Sequence, residues 1–205
     1  MKIQRKYFFD SVRDALFGGS LGQSQVDGLS LILDYADHHG IDDRQLAYVL
    51  ATIKWETAHT MQPIEEYGKG KGKPYGEPAG PYGKVYFGRG LVQITWLSNY
   101  TKQDQKLELK GELVKHPELA LDWEIALPIC FGGCRDGDFT GVCLGDHIVC
   151  SNPETDTTDF LEARTVVNGH DHASDIAKLA TKFASAITHA ERGHAERTGS
   201  EERTI

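Results

Sequence analysis

Long apolar runs are missing from this chain. None approaches the ~20 residues that span a bilayer, so no membrane insertion is expected. Positive charge is also short: Lys and Arg number 22 against 30 Asp and Glu, a formal net charge of −8. That balance argues against a nucleic-acid partner, whose affinity rests on a basic face. The start of the sequence does not read as a secretory leader, and none is expected there. Lys2, Arg5 and Lys6 supply a basic start, but Asp10, Arg13 and Asp14 interrupt any apolar core. The expectation is synthesis in a cytoplasm without export by the usual route. Cysteine is confined to Cys130, Cys134, Cys143 and Cys150, with intervening spacings of 3, 8 and 6 residues. Paired CxxC knuckles are lacking, which disfavours a zinc site and leaves free thiols or one or two local disulfides.

What is present suits a globular protein. With 205 residues, 40% hydrophobic and 25% charged, the chain can bury one good core. We read residues 1–190 as a single, mostly α domain and residues 191–205 as a polar, disordered tail. Helical spacing marks residues 7–17 through Phe8, Val12, Ala15 and Leu16, stopped by Gly18-Gly19. Ser24 is placed to cap a second helix with the stripe Val26, Leu29, Ile32, Leu33 and Ala36. Asp42 or Asp43 is placed to cap a third, with Leu46, Val49, Leu50 and Ile53 on one face. Helices are also expected over 123–131, kinked at Pro128, over 160–167, and from Ser174 or Asp175 onward. Residues 132–152 read as irregular.

Chemistry concentrates in residues 54–100. On a helical wheel Glu56 falls about 20° from Val49 and about 60° from Ile53, at the edge of the buried arc. A carboxylate half-covered by apolar neighbours suits a proton donor. Glu65 and Glu66 follow. Residues 61–84 lose the helical period, and Gly68-Lys69-Gly70-Lys71-Gly72-Lys73-Pro74 reads as a flexible basic loop. It lacks the GxxxxGK[ST] phosphate-loop pattern, so a solvated loop over a cleft is expected, where it would meet acidic groups of a substrate. Glycosidic cleavage needs a donor for the leaving oxygen and a second group at the anomeric carbon. Glu56 suits the first role and Glu65 or Glu66 the second. Carboxyl groups roughly 6.5–9.5 Å apart leave room for a water and give inversion. Thr95 offers a hydroxyl to hold that water, and Gln93 and Asn99 offer amides for sugar hydroxyls and N-acetyl groups.

The run Tyr86-Phe87-Gly88-Arg89-Gly90-Leu91-Val92-Gln93-Ile94-Thr95, followed by Asn99-Tyr100, resembles a signature of the family 19 glycoside hydrolases. That family holds plant-type chitinases and bacteriophage endolysins. Trp55-Glu56-Thr57 resembles its His-Glu-Thr/Ser motif, Pro117-Glu118-Leu119-Ala120 its Asn-Pro-Asp/Glu-Leu, and Thr165-Val166-Val167-Asn168-Gly169 its Ile-Ile-Asn-Gly. The matches fall in the family's order across residues 47–187. The resemblance implies Glu56 as general acid, a loop carboxylate as base, and Thr95 as the residue positioning water. It assigns Gln93, Asn99 and Asn168 to substrate binding. Met61-Gln62-Pro63-Ile64-Glu65-Glu66 is similar to an endolysin-like pattern that makes Glu66 the base rather than Glu65. Arg89 is expected to brace the loop. Trp55 departs from the family's His and reads as a core or cleft-wall residue.

The expectation is therefore a lysozyme-like helical hydrolase with an active-site cleft and long loops, without metal or cofactor. His170-Asp171-His172 lacks a third ligand at sensible spacing. The expected substrate is peptidoglycan or a related amino-sugar polymer, cleaved at β-1,4 bonds by a monomer acting at the bacterial wall. Chitin is the alternative substrate, and a catalytically silent glycan-binding module of a phage tail the alternative of another class.

Overall fold

A computed structural model of the chain describes residues 3–149 and 157–201, with the backbone alone for residues 157 and 192–201. Cys150 and residues 202–205 lie outside the described residues. The described chain is mostly helical, with seven α-helices and four strands of two residues each. Packing divides it into two compact units.

The first unit comprises Met1–Thr52, Leu144–Thr165 and Gly169–Ile205. It holds α1 (Arg5–Leu16), α2 (Gln23–His39), the first ten residues of α3 (Asp43–Glu56) and α7 (Ala173–Glu201). Most of the apolar stripes read from the sequence lie in its core, although Ala15 is exposed and Leu16 and Val26 are half-buried. Phe8 and Val12 of α1, Leu29 and Ile32 of α2, and Ile176, Ala180 and Phe183 of α7 are all buried. α1 packs on α7. The start of α3 is capped as expected, with the Arg44 amide donating to Asp42 Oδ1 at 2.8 Å. α2 differs: it begins at Gln23, ahead of Ser24, and the Gly22 amide donates to Gln25 Oε1 at 2.9 Å. A strand pair, β3 (Ile148–Val149) with β4 (Thr157–Thr158), was not foreseen.

Two helical expectations change here. The expected helix over 160–167 is a short 3-10 segment, Glu162–Val166, turned by Asp159, whose Oδ1 accepts from the Leu161 and Glu162 amides. Where disorder was expected after residue 190, the backbone of α7 runs on to Glu201.

The second unit comprises Ile53–Cys143 and Val166–Asn168. It holds the last turn of α3, β1 (Ile64–Glu65) paired antiparallel with β2 (Arg89–Gly90), α4 (Leu97–Lys106), α5 (Glu112–Lys115) and α6 (Trp123–Asp136). α6 runs through Pro128 and beyond the expected end near 131. Cys130 and Cys134 extend its buried face by one turn, and Gly137 stops it in the left-handed region at φ 70°. Gly133 is fixed by packing, since a Cβ there would sit 2.1 Å from the Phe139 ring. Among the described residues no helix is long and apolar enough to cross a membrane.

Core position predicts the cost of truncation. Phe183→Ala, at a fully buried site, should lower stability by about 3–5 kcal/mol in denaturant unfolding. Leu31→Ala, at a side chain 40% exposed, should change it by about 0.5 kcal/mol or less.

Candidate active site

The site is built on the β1–β2 ribbon and the segment that follows it. Ile64 pairs with Gly90 and Glu65 with Arg89, and the Glu66 amide extends the ladder by donating to Gly88 O at 2.7 Å. Gly90, at φ 89°, lies so close to the Ala120 carbonyl that a Cβ would come within 3.0 Å. Gln93 takes a left-handed φ of 53°, and its Nε2 donates to Ile64 O at 2.9 Å and Gly90 O at 3.0 Å. These bonds turn the chain after β2 and carry Thr95 back toward the strands.

Arg89 anchors the ribbon. Its Nε donates to Glu65 Oε1 at 3.2 Å, and one terminal nitrogen donates to Val85 O at 3.1 Å and the Tyr100 hydroxyl at 3.3 Å. The guanidinium carbon lies 3.6 Å from the Phe87 ring centroid. The Tyr100 hydroxyl donates to Phe87 O at 3.0 Å, and burial pushes its phenol up to about 12. The bracing role expected of Arg89 is its geometry here.

A cleft of about 330 Å³ is lined by Glu56, Glu65, Glu66, Tyr67, Tyr75, Gly88, Gln93 and Thr95, with Ile64 at its base. The sequence expectation named Glu56, Glu66, Gln93 and Thr95, and the structure brings them together. Asn99 and Asn168 lie outside this lining. The Asn99 Nδ2 donates back to Thr95 O at 2.9 Å, supporting the backbone that presents Thr95. Asn168 is exposed at the end of the second unit. Gln93 lines the cleft, but its amide nitrogen is committed to the backbone, so only its oxygen faces a ligand. Tyr67 and Tyr75 were not singled out from the sequence, where they are two aromatics in a glycine-rich loop. A larger groove of about 770 Å³ between Tyr82, Leu97 and Val114 holds no comparable group of catalytic side chains.

The two adjacent acids differ in setting. Glu65 is bonded by Lys69 at 2.8 Å and by Arg89, and these cations hold its carboxyl below the usual range against the opposing effect of burial. Glu66 accepts from the Gly88 amide at 3.1 Å and the Tyr75 hydroxyl at 3.3 Å. Burial, and then the charge of Glu66, push the Tyr75 phenol up. Tyr75 in turn meets Trp96 edge to face at 5.6 Å. Trp96 is 46% exposed and held at φ 70°, a strained setting for so bulky a residue. Glu56 ends α3 half-buried, where the sequence wheel placed it. Cys130, Cys134 and Cys143 are free thiols, and the buried Cys130 thiol is raised by its hydrogen bond with Cys134 and by burial, with the charge of Glu56 adding to the rise. Such a thiol is poorly reactive.

The unit is mostly helical and carries a carboxylate-lined cleft, and comparison with solved structures bears on its fold. The chain superposes on chitinase C from Streptomyces griseus HUT6037 with a TM-score of 0.54 and 19% identity, covering 91% of this chain and 92% of that one. A mutant of chitinase C gives a TM-score of 0.50 at 19% identity, covering 92% of each chain. No family profile and no curated protein sequence matches. At this identity the likeness establishes the fold.

Arg89→Lys should lower stability by about 1–3 kcal/mol in denaturant unfolding, since an ammonium cannot replace the fork. Glu65→Gln tests the charge pairing. A carboxyl lowered in the folded state contributes stability above its unfolded value, near 4.5, and loses it as pH falls through the folded value. The stability deficit of the variant should therefore be largest near neutrality and shrink below about pH 4.5.

Proposed function

We propose that the chain is a glycoside hydrolase of the chitinase and lysozyme type, cleaving β-1,4 bonds between N-acetylated amino sugars with inversion. The observation that carries this reading is the cleft itself. It gathers a half-buried acid on a helix end, a carboxylate on a strand that two cations hold below the usual range, and the threonine Thr95. Glu56 protonates the leaving oxygen, and Thr95 positions the water. The likeness to structures titled chitinase C supports the same chemistry.

For the base, the geometry favours Glu65 over the Glu66 preferred from the sequence pattern. An acid and base sharing one cleft need environments that separate their protonation, and Lys69 and Arg89 keep Glu65 ionised. Glu66 is held by neutral donors, the Tyr75 hydroxyl and the Gly88 amide, whereas both oxygens of Glu65 meet cations, Oε1 at Arg89 and Oε2 at Lys69. Gln93 offers its amide oxygen to the substrate. Asn99 acts through the Thr95 backbone, and Asn168 has no assigned contact.

Peptidoglycan is the substrate we favour, on the similarity of residues 61–66 to endolysin-like members. Hydrolysis at the wall then follows once the protein is released to it. Chitin is the alternative within the same chemistry. Glu56→Gln should lower turnover of purified peptidoglycan by about a hundredfold to ten-thousandfold while the protein stays folded. Mass spectrometry of the fragments identifies the sugar at the new reducing end. Equal lysis by wild type and Glu56→Gln would overturn the acid assignment, and turnover of chitin oligomers alone would overturn the substrate. Glu65→Gln should be as damaging as Glu56→Gln, and Glu66→Gln less so; the reverse order would return the base to Glu66.

A further inference from the structure

The loop between Glu66 and Tyr75 carries Lys69, Lys71 and Lys73, and residues 67–76 contain no acid, in a chain of net charge −8. The flexible loop expected from the sequence is instead a tightly turned one. The Lys69 amide donates to Glu66 O, Lys71 to Gly68 O, Lys73 to Gly70 O and Gly76 to Lys73 O, each at 2.9 Å. Gly70 and Gly76 close the base of the loop by backbone contact, since a Cβ on Gly76 would lie 1.9 Å from Gly70 O. Glycine is required at Gly70 twice over, by that contact and by φ 73°. Both ends of the loop reach the cleft: Glu66 and Tyr67 on one side, Tyr75 on the other, all among its lining.

The three lysines divide in role. Lys69 is paired with Glu65 at 2.8 Å. Lys71 and Lys73 are exposed and carry no ion pair among the described residues. Lys73 is two residues from Tyr75, at most about 7 Å of extended chain. Its own side chain can therefore reach over the cleft mouth. Neutral glycan gains nothing from two ammonium groups held there, whereas a glycan bearing carboxylates beside its sugars does.

From this placement, and resting on the glycosidase reading above, we infer that Lys71 and Lys73 are specificity residues. They recognise carboxylates carried on the peptide stems of a wall glycan and so select peptidoglycan over chitin. The turned loop holds the two cations in position, which limits the entropy lost when the acidic polymer engages.

The test is binding of the full chain to purified sacculi, to the same sacculi with their carboxyls amidated by carbodiimide, and to colloidal chitin. Wild type is compared with the Lys71→Gln/Lys73→Gln double variant. Lys69 is kept, and no backbone turn bond is touched. The double variant should bind native sacculi about threefold to tenfold more weakly at low salt, the size expected of two exposed charge contacts. The difference should vanish at about 0.5 M salt, on amidated sacculi and on chitin. Equal affinity of both proteins for native sacculi would overturn the inference, as would no binding by wild type. An equal loss on all three polymers, or a loss that survives amidation, would overturn it too, pointing to a general loop defect or to another anion. Turnover is measured on the same samples. Selective binding without cleavage would sink the glycosidase reading and leave the role of the lysines standing.

Discussion

A guanidinium buried in the wall of a cleft must be met on every side, and Arg89 shows how one residue then dictates its surroundings. Its side chain is 7% exposed. Unpaired, such a charge would cost several kcal/mol. Here the Glu65 carboxylate, the Val85 carbonyl and the Tyr100 hydroxyl satisfy it, with the Phe87 ring stacked against it. The partners come from three parts of the second unit. Strand β1 supplies Glu65, the approach to β2 supplies Val85 and Phe87, and α4 supplies Tyr100. Placing Arg89 therefore fixes the ribbon against α4, and the ribbon carries the cleft.

In the proposed reaction, the charge pairing that braces the fold also serves the chemistry. The cations that secure Glu65 keep it ionised, while Glu56 sits half-buried at a helix end. Two carboxylates are thus given different environments by the packing that each element needs anyway. The hydroxyl of Thr95 enters the same space because Gln93 spends its amide nitrogen holding the turn. Gln93 and Asn99 serve the cleft largely through backbone, a role that side-chain chemistry alone does not suggest.

Much of this was legible in the sequence. The stripes of α1, α2 and α3 were readable because amphipathic helices announce their period. The edge position of Glu56 followed from the same periodicity. The short β1–β2 ribbon was not readable: strands of two residues have no period, and this one exists because Arg89 and Glu65 face each other across it. Residues 162–166 carried a helical pattern yet form a 3-10 turn, since Asp159 captures the first amides. α6 outran its expected end because Gly133 and Cys134 are packed inward, a preference that only tertiary contacts reveal. Tyr67 and Tyr75 were hidden for a similar reason. Their loop looked flexible until the contact of Gly70 with Gly76 gave it a shape.

The central claim is that two carboxylates hydrolyse a glycosidic bond with a water between them. Proton NMR of the first product released from an N-acetylated β-1,4 glycan tests it most directly. The account predicts that the α-anomer appears first, before mutarotation, as inversion requires. A β-anomer formed first would contradict it, placing a carboxylate in the nucleophile's role.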